Sequence, residues 1–135
     1  LVIKAFFIPF LMKKFALFTG SILAGLSVAL GAFGAHAWKD YLRGINRLET
    51  FETAARYQMY GGIILLILGV WQTMATTKTL KTAAYFHFFG TLIFSGSLYL
   101  ICITQNTLWG AVAPLGGLSM MVSFGIMAFS VLRKN

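Results

Sequence analysis

Two histidines are the only candidates for proton transfer or metal binding near the apolar parts of this sequence. His36 follows the first long apolar segment, and His87 lies inside the third. An ionisable residue within a membrane usually marks a functional site. In the topology derived below, however, the two histidines lie near opposite membrane surfaces, too far apart to share a metal ion. We therefore interpret each as a hydrogen-bonding residue near a surface.

Polar side chains also form a line along the third apolar segment at intervals of four residues. The line consists of His87, Thr91, Ser95 and Tyr99. Because four residues turn an α-helix by about 400°, this line drifts slowly around the helix and can face one neighbour. The simpler interpretation is that its hydroxyl groups bond to carbonyl groups of their own helix. The alternative is a polar interface with His36 and Gln58 from other helices.

The sequence contains no group of residues that would carry out a reaction. No Asp or Glu lies in any long apolar segment, which argues against the carboxylate relay of a proton-coupled transporter. There is no nucleophile–base pair, metal-ligand spacing or phosphate-binding loop. The lone Cys102 lies in an apolar segment and is interpreted as a packing residue. The sequence therefore predicts that the protein is not an enzyme and has no catalytic, cofactor-binding or metal-binding residues.

The elements that position these residues are predicted to be membrane-spanning helices. Of the 135 residues, 59% are hydrophobic and 10% are charged, whereas a soluble domain usually has about 25% charged residues. Segments long enough to cross a hydrocarbon core of about 30 Å are 15–35, 59–75, 84–103 and 112–132. Because the last two connections are short, neighbouring helices should be antiparallel. We predict an all-α membrane protein with four transmembrane helices in an up-down-up-down bundle.

The first residues stand apart from this domain. A second plausible start, Met12-Lys13-Lys14, directly precedes the first apolar segment. We therefore predict that residues 12–135 form a single transmembrane domain. Residues 1–11 are interpreted as an upstream extension or as the product of a non-AUG start.

The distribution of basic residues predicts the orientation in the membrane. Seven lie on the side of the two termini, namely Lys4, Lys13, Lys14, Lys78, Lys81, Arg133 and Lys134. Four lie on the other side, namely Lys39, Arg43, Arg47 and Arg56. Basic residues favour the cytoplasmic side, so both termini should be cytoplasmic, in a bacterial inner membrane. Since the basic residues flank the spans, the net charge of +8 indicates a lipid bilayer as the partner, not nucleic acid.

The first loop carries its own helix signal. Asn46 followed by Glu49 suits a helix start, and the apolar residues after it recur on one side of a helix. This pattern predicts a short amphipathic helix on the outer surface that runs into the second span. Gly61-Gly62 is the expected bend between them.

Small residues recur at helical spacing and predict helix–helix contacts, since they allow two backbones to approach closely in lipid. The predicted packing residues are Gly20, Ala24, Ser27, Gly31, Gly34, Gly116 and Gly117. A second line of small residues in the first span, Gly25, Ala29 and Ala32, ends at His36. We therefore expect His36 to face the bundle. Its expected hydrogen-bond partner is one of Glu52, Arg56, Tyr57 and Gln58.

Four ordered motifs in this sequence resemble those of a known family. They are Gly31-Ala32-Phe33-Gly34-Ala35-His36, Glu52-x-x-x-Arg56-Tyr57-Gln58, Phe94-Ser95-Gly96-Ser97-Leu98-Tyr99 and Pro114-Leu115-Gly116-Gly117. Their order and spacing are similar to those of small bacterial membrane proteins of the YgdD/YwdK type, a family named for having no known function. The resemblance implies a four-span inner-membrane protein and no particular activity. The family usually has a histidine at the position of Gly61, so its absence here weakens a catalytic or metal role for His36.

Two functions remain open. The first is a non-enzymatic accessory or assembly protein that packs against another membrane protein or against itself. The alternative is a small oligomeric transporter or channel lined by the polar face of the third span. The candidate polar site for either function comprises His36, Glu52, Arg56, Tyr57, Gln58, His87, Ser95, Ser97 and Tyr99.

Overall fold

The computed structural model describes residues 2–75 and 77–133, apart from the side chains of residues 5–13. The helices are α1 (Val2–Ala35), α2 (Lys39–Gly44), α3 (Leu48–Met74), α4 (Lys78–Thr104), a 3₁₀ helix (Thr107–Ala111) and α5 (Ala113–Leu132). The described part contains no strand, so the predicted all-α class is confirmed. Lys134 and the Lys13 side chain, which the charge count uses, lie outside this description.

Four helical segments of the described chain are long and apolar enough to cross a membrane. They are Lys14–Ala35, Leu48–Met74, Lys78–Thr104 and Thr107–Leu132. Each overlaps one predicted span, so the prediction of four membrane-spanning helices is confirmed. The helices α3 and α4 begin well before the predicted spans 59–75 and 84–103, because their backbone hydrogen bonds continue into the polar residues that precede these spans.

The predicted amphipathic helix of the first loop is not a separate element. The short helix in this loop is α2, and the segment after it is the first part of α3. Asn46 does not cap α3, because its φ of 55° places it in a left-handed turn, which Asn tolerates. The prediction of a bend at Gly61-Gly62 is also not supported, since helical structure continues through both residues. Both glycines are buried at helix contacts instead.

The four long helices pack in the order α1–α3–α4–α5. Each helix makes its main contacts with its neighbours in this row, and α1 contacts α4 only weakly. Two apolar clusters fill the row, one toward each end of the helices. The cluster that includes Leu42, Phe51 and Cys102 buries the lone thiol, as expected for a packing residue.

The contact between α1 and α3 is a close approach of two backbones. A Cβ atom added to Gly20 would lie 2.8 Å from the Gly62 carbonyl oxygen, and one added to Gly62 would lie 2.9 Å from the Gly20 oxygen. Further along, the Ser27 hydroxyl donates a hydrogen bond of 2.6 Å to the Ala55 carbonyl. Because the partner numbers fall as the α1 numbers rise, the two helices are antiparallel. Small residues thus permit the contact, and a serine reinforces it.

The contact between α4 and α5 repeats this arrangement. A Cβ atom on Gly90 would lie 2.8 Å from the Gly116 oxygen, and one on Gly116 would lie 2.7 Å from the Gly90 oxygen. The Ser123 hydroxyl donates a hydrogen bond of 2.8 Å to the Ala83 carbonyl. In both contacts the serine lies seven residues after one glycine, and its alanine acceptor lies seven residues before the other.

The two halves of the row are therefore related by an approximate two-fold axis, an arrangement that we call the inverted repeat although the order of the helices along the chain is reversed. In this relation α1 corresponds to α5 and α3 corresponds to α4, both of the latter being 27 residues long. The helices α3 and α4 are also antiparallel, since Gln58 meets Tyr99 and Gly61 meets Thr91, so the helices of each corresponding pair run in opposite directions. The interface between α3 and α4 is the boundary between the halves.

Candidate functional site

A chain of hydrogen bonds connects three helices at one end of the α3–α4 interface. The Tyr99 hydroxyl of α4 donates to Gln58 Oε1 at 3.0 Å. Gln58 of α3 in turn donates through Nε2 to the Leu23 carbonyl of α1 at 3.0 Å. Gln58 is buried, so both polar ends of its side chain are satisfied within the protein. The predicted polar interface between the third span and Gln58 is present at this point.

His36 does not take part in this interface. It is exposed, and the hydrogen bonds of the described residues include none from its side chain to Glu52, Arg56, Tyr57 or Gln58. The expected hydrogen bond is therefore wrong. The helix α1 ends at Ala35, and His36 lies in the turn of residues 36–38 that follows it. Other residues connect this end of α1 to α3: Ser27 by a hydrogen bond to the Ala55 carbonyl, and Trp38 by ring packing on Phe51 at 6.0 Å.

The other predicted polar residues of α3 are dispersed. Glu52 and Arg56 are exposed and line a polar hollow of about 750 Å³ at the start of α3, together with Arg43 and Arg47. Tyr57 faces α4, where its ring lies 4.7 Å from that of Phe94. The structure thus separates these residues from Gln58 instead of joining them in one site.

Two of the candidate hydroxyl groups within the third span bond to their own helix, as the simpler interpretation predicts. Thr91 donates to the His87 carbonyl at 2.8 Å, and Ser97 donates to the Phe94 carbonyl at 2.9 Å. The Thr91 side chain also packs directly on Gly61, where an added Cβ atom would collide with it. With threonine at position 91, the structure has no room at position 61 for a histidine side chain.

Two polar side chains of α4 are buried without a partner in the described part of the protein. They are Ser95, through its Oγ atom, and His87, through both ring nitrogens. His87 is 1% exposed, so it is covered by neighbouring helices, and its predicted depth near a membrane surface stays a prediction. Its ring packs edge-on against Phe124 of α5 at 5.2 Å, because α5 covers this part of α4. A buried polar group without a partner costs about 1–3 kcal/mol, so this imidazole is a strong candidate for a ligand contact.

A cavity of about 480 Å³, which we call the α3–α5 cleft, lies beside His87. Helices α3, α4 and α5 line it, and no charged side chain does. Its aromatic and sulfur-containing walls are Tyr57, Tyr60, Phe94, Phe124, Met120 and Met121. Sequence reasoning missed this cleft because its residues come from three helices, and Tyr57, Phe94 and Gly117 stand in three separate motifs. The closest signal was the pair Tyr57 and Tyr60, whose spacing puts both rings on one side of α3.

Most of the predicted packing residues lie at helix contacts. Besides the two glycine pairs, an added Cβ atom on Gly34 would lie 2.6 Å from the Phe51 ring, and one on Gly62 would lie 2.7 Å from the Ala24 nitrogen. Gly31 is a correction, since an added Cβ would have no neighbour within 4 Å. The line through Gly25, Ala29 and Ala32 is also exposed. Gly117 lines the α3–α5 cleft and does not lie at a helix crossing.

The chemistry available at these sites is hydrogen bonding and apolar contact. Among the described residues, no three His, Cys, Asp or Glu side chains lie close enough together to hold a metal ion. The α3–α5 cleft offers one imidazole within an apolar surface. Such a site suits a neutral molecule, because an ion would lose its hydration without gaining a charged partner.

Comparison with known proteins places the sequence among uncharacterised membrane proteins. The model of a family described as "Protein of unknown function (DUF423)" matches residues 30–117. The chain is 35% identical to a UPF0382 membrane protein of Staphylococcus epidermidis over 122 residues, which cover 90% of this chain and 98% of that protein. It is 32% identical to the UPF0382 membrane protein YwdK of Bacillus subtilis, covering 90% and 98% of the two chains. The value is 31% for the UPF0382 inner membrane protein YgdD of Escherichia coli K12, with 90% and 92% covered. No solved structure matches the chain.

Proposed function

The chain belongs to the DUF423 family of proteins of unknown function, and from this premise we propose that it is a non-enzymatic accessory protein that packs against another membrane protein. The contact surface is the outer face of α1, formed by Ser21, Gly25, Ala29 and Ala32. All four residues are exposed, and an added Cβ on Gly25 would meet nothing within 4 Å. A line of small residues on a membrane helix allows a second helix to approach closely.

The arrangement of the row supports this role, because α1 is a terminal helix. Its other small residues, Gly20 and Ser27, are already used in the contact with α3. The exposed line lies on a different side and has no internal partner among the described helices. The proposed occupant is therefore a transmembrane helix of another protein.

The test is copurification from native membranes in a mild detergent. We expect a stoichiometric partner with the unmodified protein, loss of that partner with Gly25→Leu, and its retention with Gly125→Leu. Gly125 is the matched control, because it undergoes the same change on α5, where an added Cβ would also meet nothing within 4 Å. A protein that purifies alone, or a partner retained by Gly25→Leu, would contradict the proposal. A homo-oligomer disrupted by Gly25→Leu would replace it with self-association.

The geometry gives less support to an oligomeric transporter lined by α4. The polar face of α4 is covered by α3, and Thr91 at its centre is fully buried. Transporters built from inverted repeats usually form their substrate sites from interrupted helices, whereas α3 and α4 are continuous. Ion or solute flux through the purified protein in liposomes would reinstate this alternative.

The proposed location is a bacterial cytoplasmic membrane with both termini in the cytoplasm. The support is the excess of basic residues on the terminal side, together with the four helices that are long enough to span. Reporter fusions after Asn135 and near Asn46 should report opposite sides. A periplasmic signal from the C-terminal fusion would reverse the orientation.

A further inference from the structure

The α3–α5 cleft has a counterpart in the other half of the inverted repeat, and there a ring fills the space. In the correspondence between the two halves, Gly62 of α3 matches Gly90 of α4. Counting back the same number of residues along each helix, Tyr57 and Tyr60 of α3 match Tyr85 and Phe88 of α4. The ring of Phe15, from α1, lies 5.2 Å from both of the latter rings.

In the half that contains the cleft, the position that corresponds to Phe15 carries no ring in the described structure. Gly20 of α1 matches Gly116 of α5. Counting back five residues from each glycine, Phe15 matches Ala111, whose side chain is only a methyl group. The cavity of about 480 Å³ beside Tyr57 and Tyr60 is what remains. The protein therefore provides its own example of what fits against such a pair of rings: a planar, neutral ring.

The polar character of the ligand follows from His87. A neutral imidazole carries one N–H donor, and neither nitrogen of His87 has a partner among the described residues. His87 lines the cleft, but its ring nitrogens are closed to water in this conformation, so a hydrogen bond to a ligand requires the imidazole to turn into the cleft. The suitable ligand group is a carbonyl oxygen, which accepts a hydrogen bond and adds no charge. The lack of charged side chains in the lining argues against a phospholipid headgroup at this depth.

We propose that the α3–α5 cleft binds a lipid-soluble molecule of the quinone class, with its ring between the aromatic walls and a carbonyl oxygen accepting a hydrogen bond from His87. The apolar chain of such a molecule extends into the bilayer past exposed residues of the cleft, such as Tyr60 and Met121. The proposal concerns binding and includes no redox step. It is independent of the helix contact proposed for α1.

The direct test uses the two histidines as a built-in comparison. The full chain, labelled with ¹⁵N-histidine in detergent micelles, is titrated with a decyl-substituted benzoquinone, and decylbenzene serves as the matched probe without carbonyl groups. We expect a saturable shift of the His87 imidazole signals, no shift of those of exposed His36, and about tenfold weaker binding of decylbenzene. Equal affinity for the two probes, with an unmoved His87 signal, would show that the cleft holds only an apolar chain and would overturn the proposal.

Two glycines of α5 supply matched variants. Gly117 lines the cleft, where an added Cβ would meet only the Phe94 ring at 3.7 Å, and Gly125 faces open space. Gly117→Leu should fill the cleft and abolish quinone binding, whereas Gly125→Leu should leave it unchanged. His87→Phe should lower the affinity for the quinone about tenfold and leave that for decylbenzene unchanged. Quinone binding that survives Gly117→Leu would place the ligand elsewhere and refute the site.

Discussion

At the scale of single residues, the structure gives buried glycines and exposed glycines different roles. Gly61 packs directly on the Thr91 side chain, so its lack of a Cβ atom is a steric requirement. Gly96 of α4 is also helical, but an added Cβ there would meet nothing within 4 Å. The difference is not visible in the sequence, where both residues lie in apolar segments.

We predict that Gly61→Ala lowers the free energy of unfolding in detergent by about 1–3 kcal/mol, the usual cost of overpacking. Thr91→Ala removes the two closest atoms, so the double variant should lose clearly less than the sum of the single changes. Gly96→Ala is the control and should be neutral or slightly stabilising, because alanine favours a helix. Additive effects of Gly61→Ala and Thr91→Ala would contradict the contact.

The types of residue in the sequence predicted some contacts, but their spacing alone could not show in which direction each side chain points. Gln58 was expected to meet the third span and does so through Tyr99. The contact expected of His36 is absent, since His36 lies in a turn after Ala35, and a periodic pattern cannot show such a turn. Gly31 failed although Gly34, one turn further along α1, packs on the Phe51 ring, because spacing does not show how closely the neighbouring helix approaches at each turn. The cleft beside His87 could not be predicted, because it depends on the packing of three helices.

At the scale of elements, three serines of the described helices donate hydrogen bonds to a neighbouring helix, and two of them, Ser27 and Ser123, occupy corresponding positions in the two halves. Ser27 and Ser123 each donate to an alanine carbonyl of the neighbouring helix, at 2.6 and 2.8 Å. Ser21 provides a contrast, since its hydroxyl bonds to the Leu17 carbonyl within its own helix. The four spans were predictable from apolar length, whereas the repeat was not, because only a few glycine, serine and alanine positions recur.

We predict that Ser27→Ala and Ser123→Ala lower the free energy of unfolding by similar amounts, about 0.6 kcal/mol each. The two effects should add, because the bonds lie in separate halves of the row. Ser21→Ala is the matched control and should have a smaller effect. Chemical unfolding in mixed micelles measures all three. An effect of Ser27→Ala no larger than that of Ser21→Ala would show that the bond across the helices contributes nothing.

At the scale of the whole molecule, the order α1–α3–α4–α5 governs every surface discussed above. Because α1 is terminal, its outer face is free for a partner helix. Because α3 and α5 lie on either side of α4, a cleft remains between them. The sequence predicted a bundle of four helices, but short loops do not show whether the first and last helices meet. Whether those two helices meet depends on how closely the helices approach at the glycine contacts, and only the three-dimensional structure shows this.

The measurement that tests this order most directly is disulfide cross-linking in native membranes, in a Cys102→Ala background. We predict that Ser27→Cys with Ala55→Cys, and Ser123→Cys with Ala83→Cys, each form a disulfide within one chain, seen by intact mass. The pair Phe18→Cys and Leu118→Cys should form none within a chain, although both residues are exposed and lie at the same depth on α1 and α5, next to the level of Gly20 and Gly116. A disulfide within one chain between α1 and α5, or the failure of both neighbouring pairs, would contradict the row of helices and the surfaces that depend on it.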